Sequence, residues 1–410
     1  MEVKKMSKID DMIKRLCPNG VETKTLGELG DFYGGLTGKS KEDFKDGNAK
    51  FITYMNVYSN LKLNLNTDEK VKISDGEKQH TIEYGDVLFT GSSETPDECG
   101  MSSVLCNKTN EKLYLNSFSF GFRFFDKTLF EPEFTKYLFR SSDLRKQIIK
   151  TASGVTRFNV SKERMKKVKI PIPPIEVQKE IAHILDRFTE LTAELTAELT
   201  ARRKQYEFYR DQLLSFTNVR GGLTFGNRPE NVKWMPLGQC CDMKAGKAIS
   251  ASNIYSEPTR DVSIPCYGGN GLRGYVAQEN QNGNFCLIGR QGALCGNVCF
   301  ATGKFYATEH AVVVKNNSSL KSRFLFHLLT NMNLNQYKSQ GAQPGLAVGK
   351  LEEIKIPVPS LEIQEKIVHV LDNFDAVCND LKIGLPAEIE ARKKQYEYYR
   401  DRLLAFTPPR

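Results

Sequence analysis

One segment of this chain occurs twice, and the duplication limits the possible folds more than any other feature. Ile170-Pro171-Ile172-Pro173-Pro174-Ile175-Glu176-Val177-Gln178 returns as Ile356-Pro357-Val358-Pro359-Ser360-Leu361-Glu362-Ile363-Gln364. The match continues with His183-Ile184-Leu185-Asp186 against His369-Val370-Leu371-Asp372. It closes with Ala201-Arg202-Arg203-Lys204-Gln205-Tyr206-Glu207-Phe208-Tyr209-Arg210-Asp211 against Ala391-Arg392-Lys393-Lys394-Gln395-Tyr396-Glu397-Tyr398-Tyr399-Arg400-Asp401. Self-similarity of this density means two copies of one structural unit in tandem. At 410 residues, each copy is long enough to bury its own core.

Each repeated segment opens with proline alternating with β-branched residues, an extended stretch that cannot be helix interior, and then becomes helix-compatible. In the first copy apolar residues recur at coiled-coil spacing: Ile181, Ile184, Phe188, Leu191, Leu195, Leu199, then Tyr206, Tyr209 and Leu213, with Arg202 in one slot. The second runs Ile367, Val370, Phe374, Val377, Leu381, Leu385, Ile389, then Tyr396, Tyr399 and Leu403, with Arg392 in the matching slot. Steps of three and four with extra fours make a seam with stutters. The offset between copies grows from 186 to 190 along the helix, which is one added helical turn. Gly384 and Pro386 in the second copy are expected to kink or restart it. Two seams in one chain satisfy each other as an antiparallel helical pair; the alternative is that each helix packs on its own domain.

Fainter echoes carry the repeat into the globular parts. Val21-Glu22 with Leu26-Gly27-Glu28 corresponds to Val232-Lys233 with Leu237-Gly238-Gln239, and Gly85 through Gly91 aligns with Gly283 through Gly289 on their glycines. Tyr114, Phe118, Phe120 and Phe122 match Tyr306, His310, Val312 and Val314, both strand-like. The expected organisation is therefore a first globular domain over residues 1–174, a long helix over 175–217, a second domain over 218–360 and a second helix over 361–410. The fold class is α/β: two mainly β domains, each followed by a long helix, with the helices pairing as an antiparallel coiled coil about a pseudo-two-fold repeat.

Charge is divided along the same lines. Each helical stretch, 175–217 and 361–407, carries −2, so of the +9 on the whole chain the remainder carries +13. A basic excess confined to the globular parts fits polyanion binding, although the same excess also serves solubility. The opening Met1 to Asp11 is charged, and no stretch approaches the roughly 20 apolar residues that a membrane span needs, so a cytoplasmic protein without membrane contact is expected. Ten cysteines without a secretory leader are expected to remain thiols. Cys295 and Cys299 have spacing for a shared zinc, but no second pair lies at finger-like spacing and no histidine falls between them; buried small hydrophobes are the preferred reading.

Catalytic signatures are missing. An amino-methyltransferase needs a Pro-Pro-aromatic loop after Asn or Asp to hold the flipped base, together with a glycine-rich cofactor turn; neither is present. Gly34-Gly35-Leu36-Thr37-Gly38-Lys39-Ser40 resembles a phosphate loop, yet Tyr33 occupies the position of its first required glycine. His183 and His369 recur at one helix position, where packing or a solvated face is the simpler reading. No catalytic, cofactor-binding or metal-binding residue is assigned.

Two divergent globular regions, each closed by a near-identical long helix, resemble the specificity subunit of Type I restriction-modification enzymes. The resemblance covers essentially the whole chain. It is carried most specifically by the Ile-Pro-x-Pro openings that end in Gln178 and Gln364, and by the Lys-Gln-Tyr-Glu-(Phe/Tyr)-Tyr-Arg-Asp helix ends. It implies that each globular region is a target-recognition domain for one half of a bipartite duplex DNA site. It implies also that the helices are spacer and docking surface for two methyltransferase subunits, with restriction and motor subunits completing the complex. S-adenosylmethionine and ATP with magnesium would then belong to those partners, and this chain would bind no cofactor. Two readings from other classes compete: a methyltransferase with an unrecognised cofactor site, and a coiled-coil scaffold whose globular ends bind protein. Purified alone, the enzyme would bind S-adenosylmethionine and the scaffold would ignore DNA.

Polar, glycine-punctuated loops between apolar strands are the form that base-reading loops take on a rigid scaffold. In the first domain they supply Lys39, Ser92, Ser93, Thr95, Thr156 and Arg157 as candidate DNA contacts; in the second, Lys247, Tyr267, Asn270, Arg290, Gln291, Gln340 and Gln343. Arginine bonds guanine and glutamine adenine in two-pronged fashion, which singles out Arg290-Gln291. Ordinary surface turns account for the same loops equally well one at a time. In the first helix, Thr-Ala-Glu-Leu occurs twice in tandem, from Thr192 to Leu199. Each unit is about one helical turn, roughly 6 Å long, so the number of units is expected to set the unread spacer between half-sites.

Overall fold

A computed structural model describes residues 2–216, 232–292, 294–339 and 345–406. The expected boundary between residues 217 and 218 falls outside the described residues, as do Gln340 and Gln343. The chain folds as two compact units, Met1–Glu194 with Ile389–Arg410, and Leu195–Glu388. Each unit combines one globular domain with the opening of its own long helix and the closing turns of the other. Among the described residues no helix is long and apolar enough to cross a membrane.

In the first unit a four-stranded antiparallel sheet runs in the order Gly30–Gly34, Ser119–Phe124, Val87–Thr90, Ser102–Val104. Its strands are short because serine, asparagine and glycine punctuate them, and its centre is aromatic: Phe89 and Phe120 stack with ring centres 5.4 Å apart, and Phe89 meets Phe139 edge-on. A second sheet has the order Lys70–Val71, Ala49–Ile52, Leu113–Leu115, Thr81–Ile82, with its two central strands parallel. Thr23–Thr25 pairs with Lys169–Pro171 and closes the domain. The proline ring at the end of that pair is tolerated because this two-stranded ladder is all edge.

The second unit repeats this plan. Its main sheet runs Cys241–Ala245, Ala311–Asn316, Phe285–Gly289, Val298–Ala301. Its second sheet runs Gly271–Val276, Ile264–Gly268, Lys304–Ala307, Gln281–Asn282, again with the central pair parallel. Lys233–Pro236 closes on Lys355–Val358. The duplication therefore extends to strand order and to the parallel central pair of the second sheet in each half.

Strand register corrects the glycine-based alignment by one residue. Phe89 lies opposite Phe120 and Ile288 opposite Val312, so Phe89 matches Ile288, not Leu287 as alignment on the glycines implies. In a strand, a slip of one exchanges the two faces; Phe89 and Ile288 each lie in their domain's main core while Leu88 and Leu287 face the smaller one. Gly91 thus corresponds to Arg290 and Ser92 to Gln291. The strand-like stretch from Tyr114 to Phe122 is also two strands in different sheets. Asn116 turns the chain between them, its Oδ1 accepting the Phe118 amide at 2.9 Å and its Nδ2 donating to Ile52 O at 3.0 Å.

Ile175–Leu214 is one continuous helix of 40 residues, whereas the second copy is broken into Leu361–Asn379 and Leu385–Leu403. The break falls where Gly384 and Pro386 place it. A Cβ at Gly384 would lie 2.6 to 2.9 Å from the carbonyl oxygens of Ala376, Asp380 and Val377, and the Asp380 carboxylate takes the Lys382 and Ile383 amides instead of letting the helix continue. Leu381, placed on the seam by spacing, lies in this break and is 81% exposed, because the helical period stops at Asn379. The seam is apolar at its ends. In the first unit Phe188 stacks on Tyr399 at 5.3 Å, and in the second Phe374 lies 5.5 Å from Tyr209. At its middle Leu191 is exposed.

The two glutamines of the repeated motif join helix to domain. Gln178 Nε2 donates to Pro173 O at 2.8 Å and Leu129 O at 3.0 Å, while its Oε1 accepts the Glu131 amide at 2.8 Å. Gln364 makes the same three bonds to Pro359 O, Ser319 O and the Lys321 amide, at 2.9, 2.9 and 2.8 Å. Both side chains are wholly buried. One turn pair further on, Asp186 accepts from Lys136 Nζ and the Tyr137 hydroxyl, at 2.6 and 2.7 Å. Asp372 accepts from Arg323 Nε and His327 Nε2, at 3.0 and 2.7 Å.

Replacing Gln364 by leucine keeps the volume but strands one buried amide and two carbonyls. Unfolding in urea, followed through Trp234, the chain's single tryptophan, should then show the second unit destabilised by about 2 to 4 kcal/mol; an unchanged midpoint would mean that solvent or backbone adjustment replaces the bonds.

Candidate nucleic-acid interface

In the first unit a small sheet gathers two of the candidate loops. Its strand order is Ala152–Ser153, Phe158–Val160, Ser92–Ser93, so the turn after Ser93 lies beside the hairpin that carries Thr156 and Arg157. The hairpin is tight at Gly154, whose φ of +151° and 2.0 Å Cβ approach to Arg157 O suit glycine. Arg157 Nε donates to Ser92 Oγ at 3.2 Å. Ser92, Ser93, Thr156 and Arg157 line one open cleft of about 860 Å³ together with Tyr54, Tyr58, Glu94, Glu98 and Phe118. Thr95 stands at its edge, its hydroxyl donating to Glu98 at 2.9 Å.

Glu98 is held in the ionised form. The Tyr58 hydroxyl donates to it at 2.7 Å, and this bond, with that from Thr95, keeps its carboxyl below the usual range. Apolar groups border the cleft as well: Phe118 is 62% and Val155 is 91% exposed, surfaces suited to contact with a thymine methyl group or a base face. Beneath the cleft lie two guanidinium groups. Arg140 bonds the carbonyl oxygens of Ser102 and Tyr58, each at 2.8 Å, and Arg145 bonds those of Gly100 and Cys99, each at 2.6 Å. Burial pushes Arg140 down to about 10 and lowers Arg145 as well; at neutral pH both remain cations. Because these bonds go to carbonyl dipoles, the positive charge beneath the cleft persists, favourable to a polyanion.

Lys39 is committed elsewhere. Its ammonium bonds Glu77, at 2.6 Å, and Lys72 O, also at 2.6 Å, and its side chain is nearly buried. The same ion pair, with the Ser74 amide, holds Glu77 at about 2. The glycine-rich segment that carries Lys39 is thus a structural turn in this unit.

In the second unit the loops converge on the end of the main sheet. Gly289 approaches Gly269 so closely that a Cβ there would lie 1.8 Å from Gly269 O, which fixes the Tyr267-to-Asn270 turn against Arg290 and Gln291. Tyr267 packs edge-on against Phe305 at 5.8 Å, and its carbonyl accepts the Thr308 amide at 2.9 Å. Asn270 Oδ1 accepts from Asn297 Nδ2 at 3.5 Å. Lys247 donates its amide to Ala307 O at 3.0 Å, while its side chain is exposed. Gly246 makes that approach possible, just as Gly35 does for Leu36 in the first unit. Arg290 donates its amide to His310 O at 3.0 Å and accepts at its carbonyl from the Leu346 amide at 2.9 Å; Gln291 bridges Gly345. The structure therefore brings together Lys247, Tyr267, Asn270, Arg290 and Gln291.

Sequence reasoning missed Glu309 and His310, which share this end of the sheet, and Phe118 at the corresponding point of the first unit. All lie in the turn that carries the chain from one sheet to the other, a turn hidden while the stretch is taken as one strand. Cys295 is buried, Cys299 partly so, and all ten cysteines are free thiols. Among the described residues no group of three or more His, Cys, Asp or Glu side chains is arranged to hold a metal ion.

Comparison with known proteins follows the same twofold pattern. The family model described as the Type I restriction modification DNA specificity domain matches twice, over residues 18–202 and 229–391. The specificity subunit of the Type I restriction enzyme EcoprrI from Escherichia coli is 50% identical over 236 residues, which span 54% of this chain and 56% of that one. A putative type I specificity subunit of Mycoplasma pneumoniae, S.MpnORF201P, is 35% identical over 239 residues, covering 58% of this chain and 95% of the relative. Among solved structures, one of a type I restriction-modification system has a TM-score of 0.63 at 17% identity, covering 94% of this chain and 98% of that chain. The specificity subunit from M. genitalium has 0.56 at 17%, covering 93% and 96%.

Arg140 ties two stretches of backbone, at Ser102 and at Val57 to Asn60, to the floor of the first cleft, so Arg140→Met should loosen that floor. The expected outcome is a loss of about 2 to 4 kcal/mol from the stranded carbonyls and faster amide exchange over Tyr54–Ser59. Unchanged exchange there would show that the carbonyls do not depend on the guanidinium.

Proposed function

This chain belongs to the Type I restriction-modification DNA specificity family, and from that premise we propose that it is the non-catalytic subunit that reads a bipartite duplex DNA site, one half with each unit. The observation that carries the proposal is the pairing of one strand plan with two different sets of surface groups. Where the first unit has Gly91, a largely buried Ser92 and an exposed Phe118, the second has Arg290, Gln291 and His310 on strands of matching order and register. A scaffold held constant while its loop chemistry changes is what independent reading of two sequences requires.

The long helices complete the reading. In each unit an early residue of one helix meets a late residue of the other, Phe188 with Tyr399 and Phe374 with Tyr209, the pattern that antiparallel pairing produces. The outward faces of these helices are the docking surface for two methyltransferase subunits, and restriction and motor subunits join that complex. S-adenosylmethionine, ATP and magnesium belong to those partners, and methyl transfer and cleavage are their chemistry. The Thr-Ala-Glu-Leu tandem sets the unread spacer.

Exchange of residues 20–170 for the first domain of another family member tests the assignment. Methylation of genomic DNA by the exchanged chain with its partners should change in one half-site and keep the other half and the spacer. A change in both halves at once would show that the two units do not read independently.

A further inference from the structure

Six buried side-chain polar atoms have no hydrogen-bond partner among the described residues, and three of them lie together: Arg290 Nε, Glu309 Oε2 and His310 Nδ1. Buried polar groups are normally paired, so a cluster of unpaired ones calls for an explanation. These three residues occupy neighbouring turns at one end of the second unit's main sheet, with Arg290 N bonded to His310 O at 3.0 Å. Glu309 and His310 are each a little over one-third exposed, and His310 Nε2 lies 3.2 Å from Glu309 Oε1. Hydrogen-bond capacity of both kinds, a fixed cation and a carboxylate, is therefore held at a half-open edge, with the backbone beneath it locked by the Gly269–Gly289 approach.

We propose that Arg290 and Glu309 together read one G·C base pair in the second half-site, with His310 as the positioning residue for Glu309. The proposal rests on the DNA-reading function above and assigns its chemistry at one position. In the major groove guanine offers two acceptors, O6 and N7, which match the two-pronged donor face of a guanidinium, and the paired cytosine offers the N4 amino group as a donor to a carboxylate. One arginine and one carboxylate on adjoining turns match both members of a single G·C pair; an A·T pair, with an amino group on the purine and an acceptor on the pyrimidine, places a donor before the arginine and an acceptor before the glutamate. The first unit has no such pair at the corresponding points, which are Gly91 by strand register and Ser117 and Phe118 by position in the turn.

The test uses the full chain assembled with its methyltransferase partners, and a duplex library in which each base pair of the mapped site is varied in turn. Arg290→Lys keeps the charge but loses the fork, and Glu309→Gln keeps the shape but loses the purely accepting group. Each should cost roughly 5- to 150-fold in discrimination at the same single G·C pair of the second half-site, with the first half-site profile unchanged as the internal control. His310→Ala should weaken discrimination at that pair alone. Wild-type discrimination in both Arg290→Lys and Glu309→Gln overturns the proposal, and so does a loss spread evenly over all sequences, the mark of a phosphate contact. A wild-type complex with no sequence preference at all would instead overturn the DNA-reading function, and this assignment with it.

Discussion

A buried side-chain amide fixes each long helix to its domain, and much of the remaining architecture depends on that junction. A helix that projects from a domain keeps a defined direction only if its opening turns are bonded to that domain. Gln178 and Gln364 make that attachment from inside the first turn. Each accepts one amide of the domain and donates to two carbonyls, one of them just before the helix and one in the loop that leads into the domain's own helix. Six bonds around two wholly buried groups set the direction in which each helix leaves its domain. The aspartates at 186 and 372 then hold the next two turns to the same helix of the domain. Domain and helix opening form one rigid piece, and a helix with a fixed exit angle can serve as a spacer.

Within the domains, the same backbone plan is kept by close approaches, not by shared side chains. Gly35 and Gly246 sit where a Cβ would fall about 2 Å from a carbonyl oxygen, that of Asn116 just past the second sheet in the first unit and that of Ala307 within it in the second, and the following amide bonds that sheet in both units. The cores differ: aromatic rings fill the first, including Phe89, Phe122, Phe134 and Phe139, while aliphatic and thiol side chains predominate in the second, including Cys240, Cys286, Ile288 and Val312. Packing of different side chains on one backbone is tolerated when volume and pattern are kept. Loops at the sheet end are then free to diverge without cost to the fold, and the first unit presents hydroxyl, apolar and carboxylate groups where the second presents arginine, glutamine and histidine.

The repeat, the helices, the break at Gly384 and the apolar ends of the seam were legible in the sequence because each depends on local residue type or period. Strand register was less so. Glycines are conspicuous, and alignment on Gly91 and Gly289 puts the two copies one residue out, since only pairing across the sheet reveals which face each residue takes. Among the site residues, Arg157 with Ser92, and Arg290 with Gln291, stand where turns of that composition suggest. Lys39 does not reveal its partner, because Glu77 reaches it through a separate strand and loop. Glu309 and His310 escape notice for a related reason: they read as part of a strand until the chain is seen to cross between sheets.

The central claim is that two independent readers on one chain specify two separated blocks of DNA. Mapping methylated adenines in DNA from cells that carry this chain with its methyltransferase partners tests it most directly. The account predicts one motif made of two short specified blocks with an unread spacer of constant length between them. A single uninterrupted motif, or methylation without a sequence motif, would contradict it.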